Sequence, residues 1–364
     1  MSLEQLRSLE LGYGSLGSMG FGPFFSSQLS LEELDTLLPG RAIADRGPRL
    51  LVRFGDGDRL VVVPPRLRDE GEPPVVGDFL LAAPGEEPVV VRVLERRSRL
   101  SRNAAGRGTA EQVLAANVDL AFVVQGLDEG PNPRRLERTL AAVHAGGAEP
   151  VVVLTKSDAL GDRGAVDAAV EEARAAAGGA DVLVASGLTG DGVPALAARL
   201  APASTGVLVG PSGAGKSTLV NALLGGAVQA TREVREHDAR GRHTTTGRAL
   251  FALPGGGFIV DGPGIRELRL WDGAGLERAF EDVAALAEGC RFVDCRHEGE
   301  PGCAVQAAVV SGTLDAARVE SHAKLARELA YQDLRRDGSA QRAQKQKWKA
   351  IHKEARRFRK LRGR

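Results

Sequence analysis

Between residues 118 and 260 short apolar runs alternate with alanine-rich stretches. The runs are 118–124, 151–154, 182–185, 206–209 and 258–260; the stretches between them are 133–145, 165–177, 193–200 and the segment opening at Lys216. Near-continuous apolar runs read as strands buried on both faces, and the alanine-rich intervals as the helices covering them. Together they predict a mostly parallel α/β sheet. Residues 40–98 have a different rhythm. Short β-rich runs at 49–54, 60–63, 79–82 and 89–94 are separated by turns such as 55–58 and Gly85. Close spacing of this kind predicts a small β-barrel, OB-like by preference, with an SH3-like barrel as the alternative. The first 37 residues show no sustained period and predict a flexible extension, with Phe21, Phe24 and Phe25 as candidate docking points. After the barrel, Arg96, Arg97, Arg99, Arg102 and Arg107 form a basic connector, readable equally as a solvated loop or a nucleic-acid contact.

Chemistry enters at Gly210-Pro211-Ser212-Gly213-Ala214-Gly215-Lys216-Ser217, followed by Thr218. An apolar strand precedes this run and a helical stretch follows it, the setting of a phosphate loop. Its glycines let consecutive backbone N–H groups wrap phosphates at a helix N-terminus. Lys216 neutralises phosphate oxygens, and the Ser217 hydroxyl suits a Mg2+ ion. The base is addressed elsewhere. Strand 151–154 runs into Thr155-Lys156-Ser157-Asp158, which is similar to the Asn-Lys-x-Asp motif of GTPases. There the Asp158 carboxylate accepts hydrogen bonds from guanine N1–H and N2–H. Thr155 replaces the usual Asn, an exchange expected to loosen contact with the phosphate loop. Ala185-Ser186-Gly187 ends the next strand, where a backbone N–H faces guanine O6. Downstream, Asp261-Gly262-Pro263-Gly264 matches Asp-x-x-Gly, and His243-Thr244-Thr245-Thr246 precedes it. The guanine motifs therefore come before the phosphate loop, the reverse of the usual order, so the GTPase domain is expected to be circularly permuted.

The only three cysteines, Cys290, Cys295 and Cys303, fall within fourteen residues and share the segment with His297. Three thiols cannot pair off into disulfides. With one imidazole they make a Cys3His set suited to tetrahedral Zn2+, and four protein ligands make it a structural site. Net charge is +1, but residues 335–364 hold thirteen Lys and Arg against Asp337 and Glu354. That tail would repel itself unless a polyanion neutralised it, and RNA is the expected partner. Trp348 within it is placed equally well to stack on a base or to pack on Ile351. No apolar run reaches bilayer length and the start has no signal-peptide layout, so a cytoplasmic, membrane-free protein is expected.

The permuted order, the preceding barrel, the following cysteine cluster and the run His243-Thr244-Thr245-Thr246 together resemble the RsgA/YjeQ family of ribosome-assembly GTPases. The resemblance implies a GTPase that binds the small (30S) ribosomal subunit and its 16S ribosomal RNA as a monomer. It would couple GTP hydrolysis to late maturation and to its own release. It also implies Thr245 as the magnesium threonine and one zinc on the cysteine cluster. A Ras-like glutamine after Asp-x-x-Gly is replaced by Ile265, which can neither donate nor accept. His243 is the candidate to orient the attacking water, against the alternative of a loop histidine touching RNA. Expected domains are the extension at 1–37, the barrel at 38–106, the permuted α/β GTPase domain at 107–274, a helical zinc-binding domain at 275–334 and the basic tail at 335–364. Two rivals were weighed: an RNA-modifying or remodelling P-loop enzyme, for which no further catalytic constellation is found, and a ribosome-binding module with a vestigial nucleotide site. Intact Lys216, Ser217 and Asp261 oppose the second.

Overall fold

The structure, a computed structural model, describes residues 16–69, 73–103, 111–225, 247–262, 268–270 and 272–336. His243, Thr245, Gly264, Ile265, Arg107 and the basic tail beyond residue 336 lie outside the described residues. Two compact units emerge: one runs to Arg102 and resumes from Gln112 to Ala284, and the other comprises Asn103–Glu111 and the chain from Ala285.

The first unit opens with two short helices, α1 (Pro23–Ser26) and α2 (Leu31–Thr36), the latter closed by a reciprocal Ser30–Glu33 cap. Strands β1 (Leu38–Arg46), β2 (Arg49–Phe54) and β3 (Gly57–Val62) follow, then α3 (Pro65–Asp69), β4 (Phe79–Ala83) and β5 (Val89–Val93). Each strand hydrogen-bonds the next in the circuit β1-β2-β3-β5-β4-β1, with only β3 and β5 parallel. This closed five-stranded circuit is an OB-type barrel and excludes the SH3-like alternative. Its interior holds Ala42, Val52, Val61, Leu80, Ala82 and Val90, all out of contact with solvent. Crowding there demands glycine at position 40, where a Cβ would lie 2.5 Å from Val52 Cγ1.

A ribbon of β6 (Arg99–Asn103) and β7 (Glu111–Ala116) leads to the α/β part. Its elements are β8 (Leu120–Gly126), α4 (Pro133–Ala145), β9 (Glu149–Thr155), α5 (Arg163–Ala176), β10 (Asp181–Ala185), α6 (Val193–Arg199), β11 (Thr205–Val209), α7 (Lys216–Leu223), β12 (Ala249–Ala252) and β13 (Phe258–Asp261). The sheet order is β10-β9-β8-β11-β13-β12, parallel throughout except for β12. Consequently Gly126, Thr155, Ala185, Val209 and Asp261 all end strands at one edge of the sheet, the edge where open α/β sheets bind ligands. The β12 edge is covered by β1, paired at Ala44 and Ala249, so sheet and barrel are one continuous eleven-stranded surface.

Where barrel and sheet meet, Arg41 of β1 is buried to 1% exposure. Its guanidinium donates to the carbonyls of Met19, Gly77 and Asn117 and, at 2.7 Å, to Thr205 Oγ1. It also lies 5.0 Å from the Phe79 ring centre and 5.7 Å from that of Phe258. Burial lowers its pKa to about 10, so it remains charged at neutral pH. Residues 16–37 differ from the expected loose extension: Leu16, Met19, Phe21 and Phe25 are buried against Phe79, Leu81 and Leu94. The apolar positions are too irregular for a sequence period but fit this one aromatic pocket. The basic connector is partly structural as well. Arg96 makes a bidentate pair with fully buried Asp78 at 2.7 and 2.8 Å, and Arg97 pairs with Asp119 at 3.1 Å.

Helices α8 (Gly273–Ala279) and α9 (Glu281–Ala287) follow β13. Helix α8 lies on α4 so closely that a Cβ at Gly275 would stand 2.4 Å from Ala141 O. Residues 275–284 therefore belong with the first unit, whereas the sequence placed a boundary at 275. The second unit holds the cysteine segment, α10 (Ala304–Val310) and α11 (Ala316–Arg336), packed through Val305, Ala308, Leu314, Val319, Leu325 and Leu329. Among the described residues no helix is long and apolar enough to cross a membrane.

Replacing Arg41 by Ala removes the guanidinium from the Met19 and Asn117 carbonyls and Thr205 Oγ1, leaves Gly77 O only the Asn117 amide, and opens a cavity, at a cost on the order of 3 kcal/mol or more. Denaturant unfolding should show this loss, and Arg41→Lys should recover only part of it, because an ammonium cannot reproduce the planar fork. An unshifted midpoint for Arg41→Ala would contradict the role given to this residue.

Candidate nucleotide site and cysteine cluster

In the second unit a turn brings Cys290, Cys295, His297 and Cys303 together, with all four donor atoms within 4.8 Å of one another. The Cys290 and Cys303 sulfurs are 3.8 Å apart, and His297 Nδ1 lies 3.6 and 3.4 Å from them. For zinc bond lengths, tetrahedral S···S and S···N edges are about 3.8 and 3.5 Å, so the cluster fits such an ion. The sequence builds this shape locally. His297 takes a left-handed conformation (φ 61°), and both Glu300 carboxylate oxygens accept backbone N–H groups, from Arg296 at 2.9 Å and Glu298 at 2.8 Å. The backbone N–H of Glu300 itself, followed by those of Arg296 and Glu298, holds the Glu300 carboxyl down at about 2. Cys303 caps α10, accepting the Gln306 N–H at 3.4 Å.

In the first unit the glycine-rich loop leaves β11 as the sequence predicts. Gly210 (φ 146°) passes so near β8 that a Cβ would stand 2.3 Å from Val124 O, and Gly213 and Gly215 both adopt φ 84°. Ser212, Ser217 and Thr218 are exposed around the start of α7. Lys216 Nζ folds back over the loop and donates to the carbonyls of Gly210, at 2.8 Å, and Pro211.

Thr155 ends β9 and is 1% exposed. Its hydroxyl donates to Ala214 O at 2.6 Å, so the contact expected to loosen is present: a hydroxyl supplies the donor in place of the Asn amide. Lys156 is left-handed (φ 61°) and its Nζ meets Asp128 Oδ2 at 2.5 Å, while Asp158 is exposed on the 3-10 turn Ser157–Ala159. After β10, Ser186 is buried and its side chain is committed to the turn. Its Oγ accepts from Leu188 N and Thr189 N at 3.2 and 3.1 Å, and its own N–H donates to Asp191 O at 2.8 Å. The neighbouring Gly187 rests on α7, where a Cβ would lie 2.8 Å from Leu219 N. Phosphate loop, Thr155–Asp158 and Ser186–Gly187 thus form one constellation. Asp261 stands one residue beyond Val260, the partner of Val207, at the same sheet edge and is paired with Ala249.

The chain shows 42% identity to the "Small ribosomal subunit biogenesis GTPase RsgA" of Opitutus terrae, covering 96% of this chain and 99% of that protein. A family model described as RsgA GTPase matches residues 93–271. The chain belongs to the RsgA GTPase family. A Streptomyces coelicolor protein of the same name is 43% identical over 87% of each chain. Among solved structures, YjeQ from Thermotoga maritima is similar with TM-score 0.63 and 25% identity, covering 81% of this chain and 99% of that one. YloQ, described as a circularly permuted GTPase, is similar in fold with TM-score 0.59 and 23% identity, covering 81% and 95%. The permuted fold of the family is visible in the sheet, where the last three strands in sequence, β11 to β13, lie beside β8 as one block.

Sequence reasoning missed Gln125 and Gly126 at the end of β8 and Asp128 in the loop after it, which flank the site. Gln125 is tied to this loop through both ends of its amide, to Asn132 N at 2.8 Å and Asn132 O at 3.3 Å. The available signal was slight: the apolar run was ended at Val124, and nothing marks a single acid four residues later as special.

Proposed function

We propose that this protein is a GTPase that binds the small ribosomal subunit and couples GTP hydrolysis to its late maturation and to its own release. One observation carries the reading. Thr155, opening the guanine motif, is hydrogen-bonded to Ala214 of the phosphate loop, 59 residues away in reversed order, so base and phosphate recognition form one rigid unit. The names of its relatives add the small subunit as the setting.

In this reading Lys216 exchanges its two loop carbonyls for phosphate oxygens, and the backbone N–H groups from Gly213 to Ser217 wrap the same phosphates. Asp158 accepts from guanine N1–H and N2–H. Within Ala185-Ser186-Gly187, the Ser186 N–H donates to Asp191 O, so the N–H of Gly187 is the donor for guanine O6. Ser217 and Thr245 would hold Mg2+, which when bound neutralises developing phosphate charge. Asp261 and Gly264 complete the γ-phosphate side. His243 orients the attacking water, since Ile265 cannot. Cys290, Cys295, His297 and Cys303 hold one structural Zn2+ that stabilises a unit with a modest apolar core. The protein acts as a cytoplasmic monomer, with the barrel and the basic tail meeting 16S ribosomal RNA.

Asp158→Asn should weaken GTP binding and improve xanthosine triphosphate binding, because the C2 oxygen of xanthine needs a donor; equilibrium titration with both nucleotides checks this, and unchanged preference would refute the guanine site. Isolated small subunits should accelerate hydrolysis by the wild type, and His243→Ala should retain binding to nucleotide and subunit while losing most of that stimulation. No stimulation of the wild type would defeat the functional reading, and full stimulation of the variant would remove His243 from it. Elemental analysis should find one zinc per chain, with chelation exposing residues 285–336 to protease; zinc-free protein with a protease-resistant C-terminal unit would exclude the metal.

A further inference from the structure

Lys156 has the longest and most flexible side chain of the guanine motif, and a group outside the motif holds its far end. Its backbone is left-handed (φ 61°) and its four-carbon stem is flexible. The stem passes over the phosphate loop: a Cβ at Gly215 would stand 4.0 Å from Lys156 Cγ. Beyond it, the ammonium ends on Asp128 Oδ2 at 2.5 Å, in a loop from a different strand. The chain is therefore drawn between two fixed points, its own backbone and the carboxylate. A methylene chain held straight offers an apolar ledge on which a planar purine can lie, whereas a free lysine would have to lose its rotamer freedom on binding.

The loop is shaped for this contact. At Gly126 a Cβ would stand 2.4 Å from Asp128 Oδ1 and 3.7 Å from Lys156 Cδ. Gly126 has an ordinary backbone conformation, so its lack of a side chain serves space alone: any larger residue would push the carboxylate off the lysine. Leu127 N–H donates to Thr155 O at 2.9 Å and fixes this loop to the end of β9. The hydrogen bond from the Lys156 ammonium in turn holds the Asp128 carboxyl below its usual range, so the carboxylate stays ionised at neutral pH.

The geometry points to Asp128 as a positioning residue for nucleotide binding, which acts by tethering Lys156 along the base and which Gly126 makes room for. This rests on the guanine-site reading above. The pair is part-exposed, side chains 33% and 39%, so its contribution is that of an accessible ion pair, about fivefold in affinity at most.

The test is a double-mutant cycle read with a fluorescent GDP analogue on the full-length protein. Asp128→Asn should weaken binding roughly three- to fivefold, an effect that shrinks with added salt. Gly126→Ala, which leaves both charges in place, should produce a similar loss. In a Lys156→Ala background neither substitution should cost anything further, a result that a general loosening of the loop would not give. Full affinity in Asp128→Asn, or an equal loss with and without Lys156, overturns the assignment. Asp158→Asn serves as the separate control: if it keeps its guanine preference the site reading itself falls, and if it switches while the cycle is additive only the role of Asp128 falls.

Discussion

A single buried cation joins the parts of the first unit. Arg41 belongs to the barrel, yet its donors end on the N-terminal segment at Met19, on the turn before β4 at Gly77, on the entry to β8 at Asn117 and on the first residue of β11 at Thr205. An isolated charge in such surroundings would be prohibitive, and among the described residues no carboxylate is hydrogen-bonded to it. It is tolerated because neutral oxygens and the faces of Phe79 and Phe258 surround it. That requirement fixes geometry: each carbonyl must arrive at the right place, so the barrel cannot rotate against the sheet without stripping the guanidinium. β11 carries the phosphate loop at its other end, and the anchorage at Thr205 sets the base from which that loop projects.

The order of strands along the chain matters much less to the site than their order in space. Every contact that assembles the nucleotide edge is made between neighbours in the sheet: β9 with β8, β8 with β11, β11 with β13. Cutting the usual sequence between β13 and β8 and rejoining it elsewhere leaves all of these pairings unchanged. Permutation alters what is attached to the ends. β8 now receives the barrel through β6 and β7, and the antiparallel edge strand β12 is covered by β1, so that the edge of the sheet does not expose unpaired backbone there.

How much of this was legible follows from the range of the interactions. The parallel sheet, the phosphate loop and the Cys290–Cys303 cluster were readable because each is encoded by residues close in sequence: buried strands, glycines at left-handed positions, ligands within one turn. The barrel was readable as short strands with turns, but its closure through β1 and β4 is a long-range pairing that no local pattern announces. Partners of isolated charges were not readable at all. Arg96 and Arg97 look like any basic connector until Asp78 and Asp119 are seen beside them. Thr155 appeared a poor stand-in for Asn because motif matching compares names, whereas the structure requires a donor within reach of Ala214 O, which a hydroxyl supplies. The part Ser186 plays in its turn was equally illegible: its Oγ accepts from Leu188 and Thr189 and its N–H donates to Asp191 O.

The stretch beyond β13 shows what the permuted connection does physically. From Asp261 at the phosphate edge the chain reaches α8, which packs along α4 with the backbone of Gly275 against Ala141 and Ala145. Helix α4 starts at the opposite end from that contact, where Asn132 caps it by accepting the Arg135 N–H at 2.9 Å and is itself bound to Gln125. The loop between Gln125 and Asn132 is the one that carries Asp128 to Lys156. One helix thus has the base-side loop at its head and the segment following the phosphate-side strand against its tail. A helix transmits displacement along its axis because its hydrogen bonds resist stretching, and Gly275 leaves no slack for α8 to slide across α4 without meeting the Ala141 carbonyl. The base-side loop and the helix that follows the phosphate-side strand therefore share α4 as their support.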